Sequence, residues 1–98
     1  MATFVTTFKF TPQGMTNIQE TGKRAAAFKT SARKRGVKVT GQFWTLGPFD
    51  GLIVFEAPDE ETATAALLHL EALGNVRTQT ARAFDAAEMQ RLLGRLPR

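Results

Sequence analysis

Trp44, Asp50, Glu56, His69, Arg77 and Arg82 are the residues of this chain whose chemistry could build a site. Asp50 and Glu56 are carboxylates, the groups that do acid–base work when a dry cavity tunes them. Arg77 and Arg82 could hold an anion through the guanidinium fork. Trp44 could stack on a flat ligand. Each has a competing structural role. Asp50 stands between Phe49 and Gly51, where an aspartate ordinarily bonds its own turn backbone. Glu56 ends an apolar run and either feels burial or reaches water. Arg77 and Arg82 share one strand and fall on opposite faces by parity. A structural ion pair, with Glu56 as the partner across the sheet, is expected of them before a ligand contact. Trp44 is expected at an interface, where tryptophan is enriched. His69, the only histidine, flanks a leucine stripe and is expected at the surface.

Much other chemistry has no support. Ser31 is the only serine and sits among helix cations with no base near it in sequence. Cysteine is absent, which removes thiol nucleophiles, disulfides and thiolate metal sites. One histidine with scattered carboxylates implies no metal site. No phosphate loop or nucleotide fingerprint occurs, and no cofactor is expected. No apolar run is long enough to span a bilayer, and the first ten residues lack the pattern of a signal peptide. A cytoplasmic protein with no membrane partner is therefore expected.

The elements that must position these residues follow from periodicity. At 98 residues, 43% hydrophobic and 22% charged, the chain reads as one folded domain, 1–98. Residues 3–10 form a first strand, with Phe4, Thr6, Phe8 and Phe10 on one face and Val5, Thr7 and Lys9 on the other. Thr11, Pro12, Gln13 and Gly14 then break it. A helix over 15–35 follows, irregular near Thr21 and Gly22, with Ile18, Ala25, Phe28 and Ala32 as its stripe and Gly22 filling a gap beside the sheet. Thr21 suits the cap of its longer second portion.

Residues 37–46 form the second strand. Plain alternation puts Val37, Val39, Gly41, Phe43 and Thr45 on one face and Lys38, Thr40, Gln42, Trp44 and Leu46 on the other. Gly41 hints at a bulge or a close backbone approach. A Gly47-Pro48-Phe49-Asp50-Gly51 turn leads into the third strand, 52–56, whose Leu-Ile-Val-Phe run implies burial on both faces. Asp59 caps a second helix with Ala63, Ala66, Leu67, Leu70 and Leu73 buried, and Gly74 ends it. The fourth strand spans 76–84. Asp85 caps a last helix, 85–96, carrying Met89, Leu92, Leu93 and Leu96. The order β-α-β-β-α-β, over a core of 3–84, predicts an α+β ferredoxin-like fold with a four-stranded antiparallel sheet plus a C-terminal helix.

With these residues in place, the chain resembles the GYD domain family, a small bacterial and archaeal group. The resemblance rests on Gly47-Pro48-Phe49-Asp50, with Thr45 and Leu46 before it and Glu56-Ala57-Pro58-Asp59 after the third strand. It rests also on Leu73-Gly74-Asn75-Val76-Arg77-Thr78, continuing through Thr80 and Arg82-Ala83-Phe84, and more weakly on Gly14, Asn17, Ile18 and Arg24. Phe49 departs from the family's tyrosine-like position, so no phenol chemistry is available there. Gly22 stands where the family more often has proline. The resemblance implies the ferredoxin-like fold and the dimeric α/β barrel superfamily, in which two sheets pack face to face. It implies little about function, because the family is largely uncharacterised.

Function is accordingly expected at the level of a homodimeric module that binds a small molecule or another protein, acting without catalysis. The alternative is a cofactor-independent enzyme of monooxygenase or isomerase type, as found among superfamily relatives. A regulatory, effector-sensing domain is a third reading, weakened by the absence of a DNA-binding extension. The partner expected first is a second copy, held through the helix-free face of the sheet.

Thirteen basic and nine acidic residues leave a net charge of +4, concentrated in Lys23, Arg24, Lys29, Arg33, Lys34, Arg35 and Lys38. No aromatic residues interleave these cations as a stacking platform would require. A solvated helix face with cations near its C-terminal end accounts for them. The chain should therefore bind nucleic acid only weakly and in a salt-sensitive way. Sub-micromolar affinity for one defined DNA or RNA at about 150 mM salt, measured by fluorescence anisotropy, would contradict this.

Overall fold

The computed structural model describes residues 1–97. Strands β1 (Ala2–Phe10), β2 (Lys38–Trp44), β3 (Gly51–Ala57) and β4 (Val76–Ala83) form one sheet in the order β2-β3-β1-β4. All three pairings are antiparallel. Helices α1 (Pro12–Thr16), α2 (Thr21–Lys34), α3 (Glu60–Ala72) and α4 (Ala86–Leu93) complete the chain, with a 3₁₀ turn at Ile18–Glu20. This is the ferredoxin-like α+β arrangement, with a further helix at the C-terminal end.

The first helical segment is more broken than expected. Thr11 does end the strand, yet its hydroxyl accepts from the Gly14 N–H and so caps α1. Pro12 fits the first helical position, where its missing N–H costs nothing. Thr21 is not a cap: it is the first residue of α2, whose preceding residue, Glu20, makes no capping bond. Gly22 does not fill a packing gap either, since a Cβ there would meet nothing within 4 Å. Asp59 caps α3 as expected, accepting from the Thr62 N–H at 2.7 Å. Gly74 closes that helix at φ +86, a left-handed conformation that suits glycine.

One face of the sheet carries the core. Phe4 and Phe8 of β1, Ile53 and Phe55 of β3, and Val37 pack beneath Phe28 and Ala32 of α2 and Ala63, Ala66 and Leu67 of α3. Phe4 and Phe55 stack with ring centroids 5.4 Å apart. Each such phenylalanine contributes about 1.5–3 kcal/mol by leaving water. Thr6 is the buried polar exception. Its hydroxyl donates to the Gln79 carbonyl at 3.1 Å and accepts from the Thr80 hydroxyl at 2.8 Å, which offsets its desolvation.

The register of β2 against β3 corrects the face assignment. Val39 pairs with Phe55, but Gly41 pairs with Val54, so β2 carries one extra residue. Alternation reverses beyond it. Gln42 pairs with Ile53 and Trp44 with Gly51 on the helix side, while Phe43 pairs with Leu52 on the open side.

Among the described residues no helix lies on the opposite face. Val5, Leu52 and Val54 are half-buried there and Phe43 is exposed. Helix α4 does not cover this face, for none of its residues is buried, although Asp85 and Glu88 give it a full capping box. The chain is elongated, 54 × 31 × 18 Å, with a radius of gyration of 15.0 Å. A compact chain of this length would show about 13 Å.

Two glycines predict opposite effects of one added methyl. A Cβ at Gly51 would stand 2.2 Å from the Phe8 ring and 2.5 Å from the Phe43 carbonyl oxygen, so Gly51→Ala should destabilise by about 1–3 kcal/mol. Gly22→Ala, in open helix, should instead stabilise by up to about 1 kcal/mol. Urea unfolding of both variants is the check; equal shifts would contradict this packing.

Candidate functional site

A cavity of about 310 Å³ lies between α2, α3 and the helix-facing side of the sheet. Phe8, Phe10, Phe28, Ile53, Leu70, Leu73 and Val76 give it apolar walls. Thr21, Arg24, Ser31, Gln42, His69 and Asn75 supply its polar groups. Ala25 and Ala27 on α2 leave the space open by being small. Trp44 stands at its edge and donates its indole N–H to the Thr21 hydroxyl at 3.1 Å. That bond fixes the ring on the helix side of the sheet, away from the interface face assigned to it by simple alternation. The bulge at Gly41 causes the reversal.

Asp50 braces this site without facing into it. Its carboxylate accepts from the Phe10 backbone N–H at 2.9 Å, and its own N–H donates to the Phe8 carbonyl at 2.8 Å. The expected local Asx-type bond is thus replaced by a latch onto a strand 40 residues away. The latch holds the stretch of β1 that supplies two aromatic walls. The turn itself is closed by the Thr45 N–H to the Asp50 carbonyl, by the Thr45 hydroxyl to the Phe49 carbonyl, and by Gly47 at φ +136.

Arg24, noted in the sequence only within a weak match and among the helix cations, lines the cavity. Its guanidinium donates to the Asn17 carbonyl at 2.7 Å and the Gly14 carbonyl at 3.3 Å. Gly14 in turn packs so tightly under Asn75 that a Cβ would meet its carbonyl oxygen at 2.1 Å. Thr11 and Gln13 reach the same turn, through the Thr11 hydroxyl to the Gly74 carbonyl at 2.6 Å and the Gln13 amide to the Leu73 carbonyl at 3.0 Å.

The remaining candidates are dispersed. Arg77 lies on the open face, paired with Lys9 across β1, and is exposed. Glu56 lies on the open face opposite Lys38 and Thr3. Among the described residues it pairs with neither arginine, contrary to the expectation of a bridge to whichever of them faces away from the helices. Arg82 points to the helix side, where it meets Glu88 at 3.2 Å and donates to the Thr3 and Ala83 carbonyls. Its guanidinium also lies 4.6 Å over the Phe84 ring and 5.7 Å over that of Phe4. These contacts make it the joint between sheet and α4. A second, shallower groove of about 340 Å³ runs from Arg82 along β4 and α3. His69 is half-buried and lines the main cavity, not the open surface expected of it. Among the described residues no three of His, Asp or Glu gather as metal ligands. No helix there is long and apolar enough to cross a membrane.

Comparison with known proteins agrees with this architecture. The family model described as GYD domain matches residues 4–93. A protein of Thermus thermophilus named glutamine synthetase and cystathionine beta-lyase binding protein is 33% identical over 90 residues, covering 91% of this chain and 95% of its own. The crystal structure of TTHA0845, also from Thermus thermophilus, superposes with a TM-score of 0.57 at 22% identity, over 88% of this chain and 96% of that one. A homoserine dehydrogenase from Thiobacillus denitrificans gives a TM-score of 0.59 at 16% identity, over 86% of this chain. The match spans only 17% of that enzyme. Both structures share the fold.

Glu88 links the charge state to α4. The Asp85 backbone N–H and the Arg82 side chain both bond its carboxylate and hold its pKa below the usual glutamate value. A depressed carboxylate contributes stability above its unfolded pKa and loses it as pH falls through the folded one. Helix α4 should therefore stay formed at neutral pH and loosen on acidification below the ordinary glutamate range. Arg82→Ala should loosen it at neutral pH already. Cα chemical shifts of residues 86–93 report this directly. An α4 that melts only together with the core strands, in both proteins, would contradict it.

Proposed function

This chain belongs to the GYD domain family, and on that premise we propose that it works as a homodimeric protein-interaction module. The observation that carries this is the uncovered apolar face of the sheet. Val5, Leu52, Val54, Phe43 and Ala81 form a contiguous strip there, bounded by Lys9 and Arg77 at one end and Lys38 and Glu56 at the other. Soluble monomers rarely leave such strips in water, and a two-fold axis lets one strip cover its copy. Two sheets so joined form a dimeric α/β barrel. Helix α4 and the turn after it, with Met89, Leu93 and Leu96 exposed, are then free to brace the rim of the dimer or to meet another protein.

The work of the module is to bind enzymes. Its relative is named for binding glutamine synthetase and cystathionine beta-lyase, and the likeness extends along nearly the whole of both chains. The cytoplasm is where this reading sets it. The enzymatic alternative lacks a comparable observation. Asp50 is engaged by β1, Arg82 by Glu88, and Glu56 and Arg77 lie at opposite ends of the open face.

Light scattering coupled to size exclusion, at micromolar concentration, should give twice the chain mass of 10.8 kDa. Val5→Glu places a charge in the middle of the strip and should return a folded monomer. A native chain at the monomer mass would overturn the dimer. Purified glutamine synthetase and cystathionine beta-lyase from the same source organism are the partners to titrate by surface plasmon resonance. Saturable binding to at least one is expected, and binding to neither would overturn the enzyme-binding assignment.

A further inference from the structure

We propose that the cavity between α2, α3 and the sheet is a binding site for a small apolar carboxylate. The proposal concerns the covered side of the sheet and stands whether or not the open side dimerises.

Shape and wall chemistry come first. A volume of about 310 Å³ falls at the lower end of the range of small-molecule pockets. Phe8, Phe28, Ile53, Leu70 and Val76 reach it from five separate elements, so it is walled on several sides rather than being a groove between two neighbours. Trp44 is 48% exposed at the edge, yet its orientation is held by the bond to Thr21. A large aromatic surface held in place beside an open apolar cavity is a ready lid for a bound body.

Charge selects the ligand class. Among the described residues the ionisable groups in the lining are Arg24 and His69, with no carboxylate beside them. Arg24 makes no ion pair among the described residues. The bonds to Asn17 and Gly14 occupy part of its donor set and fix its position, which leaves other guanidinium N–H groups for an acceptor. An uncompensated cation at the margin of an apolar cavity favours a ligand with one anionic end. A polyphosphate or sugar phosphate would bring more charge than these groups can match, and would leave the phenylalanine walls against polar atoms. A carboxylate on a short acyl or aromatic body fits both parts. Its head meets Arg24, and its body lies on the phenylalanines beside Trp44.

Trp44 is the only tryptophan, so its emission reports on the site directly. Octanoate and 1-octanol, titrated into the full-length protein, separate the charge from the apolar body. Both should change Trp44 emission saturably, with octanoate half-saturating at about tenfold lower concentration, the worth of one charge-assisted contact. Arg24→Gln should bring that ratio near one while leaving octanol binding in place. Ala25→Phe should fill the cavity and abolish both responses, with the native circular dichroism spectrum retained. The proposal is overturned if octanoate gives no saturable response, or if octanoate and octanol bind the native protein equally. It is overturned too if Ala25→Phe, folded, binds as before. The octanoate–octanol comparison and Ala25→Phe decide the matter even if Arg24→Gln disturbs the α1 segment.

Discussion

The extra residue in β2 governs where everything else can sit. Up to Val39 the strand alternates in phase with β3, and beyond Gly41 it alternates in the opposite phase. A slip of one residue exchanges every later side chain between faces. Gln42 and Trp44 therefore join the side beneath the helices, and Phe43 joins the open side. Without the bulge the cavity would lose its aromatic edge and its Gln42 amide, and the open strip would hold a tryptophan in place of a phenylalanine. Glycine suits this point because the strand must fold tightly: a Cβ on Gly41 would approach the Phe43 ring to 3.3 Å.

The stretches that mark the family converge on one place, the C-terminal end of β1. From the turn, Asp50 takes the Phe10 N–H. From the end of α3, the Asn75 carbonyl accepts from the Thr11 N–H and the Gly74 carbonyl from the Thr11 hydroxyl. Gly14 lies directly against Asn75, and Arg24 returns from α2 to hold the Gly14 carbonyl. These groups share one physical task. A strand that ends under two helices must hand its chain to α1 without leaving backbone donors unpaired. Solving that task rigidly sets Phe8, Phe10 and Arg24 around the cavity. A set of residues that reads in sequence as a motif for ligand contact acts here first as a clamp.

Most of the fold can be read from the chain because its signals are local. Strand alternation in β1, the Asp59 and Asp85 caps and the Gly74 stop each depend on a few neighbouring residues, and each stands where expected. The site is far less readable. Arg24 and His69 are ordinary helix residues until α2 and α3 are laid side by side across the sheet. Plain alternation misplaces Trp44 because it runs straight through Gly41, the one residue that already suggests a bulge. Arg82 forms the ion pair expected of it, but its partner, Glu88, lies on the helix that alternation along the strands could not place. Local patterns specify which face a residue occupies within its own element. They carry no information on which faces of distant elements meet.

The two surfaces of the sheet differ in kind, and β1 joins them. The open face belongs to β-strand side chains alone, which suits another protein's surface more than a small molecule. The covered side holds the cavity between the helices and the sheet, and suits a small molecule more than a protein. Phe8 and Phe10 point into the cavity while Val5 and Thr7 point to the open face, so the same nine-residue strand lines both. Its far end is held by the Asp50 latch and its near end by the Arg82 contact with the Thr3 carbonyl. A ligand pressing on Phe8 and a protein pressing on Thr7 would act on adjacent residues of one backbone. With both ends of the strand tied, such a load can be relieved only by twist or by a shift against β3 and β4. The hydrogen-bonded register on either side opposes both, which makes β1 a stiff floor common to the two surfaces rather than a hinge between them.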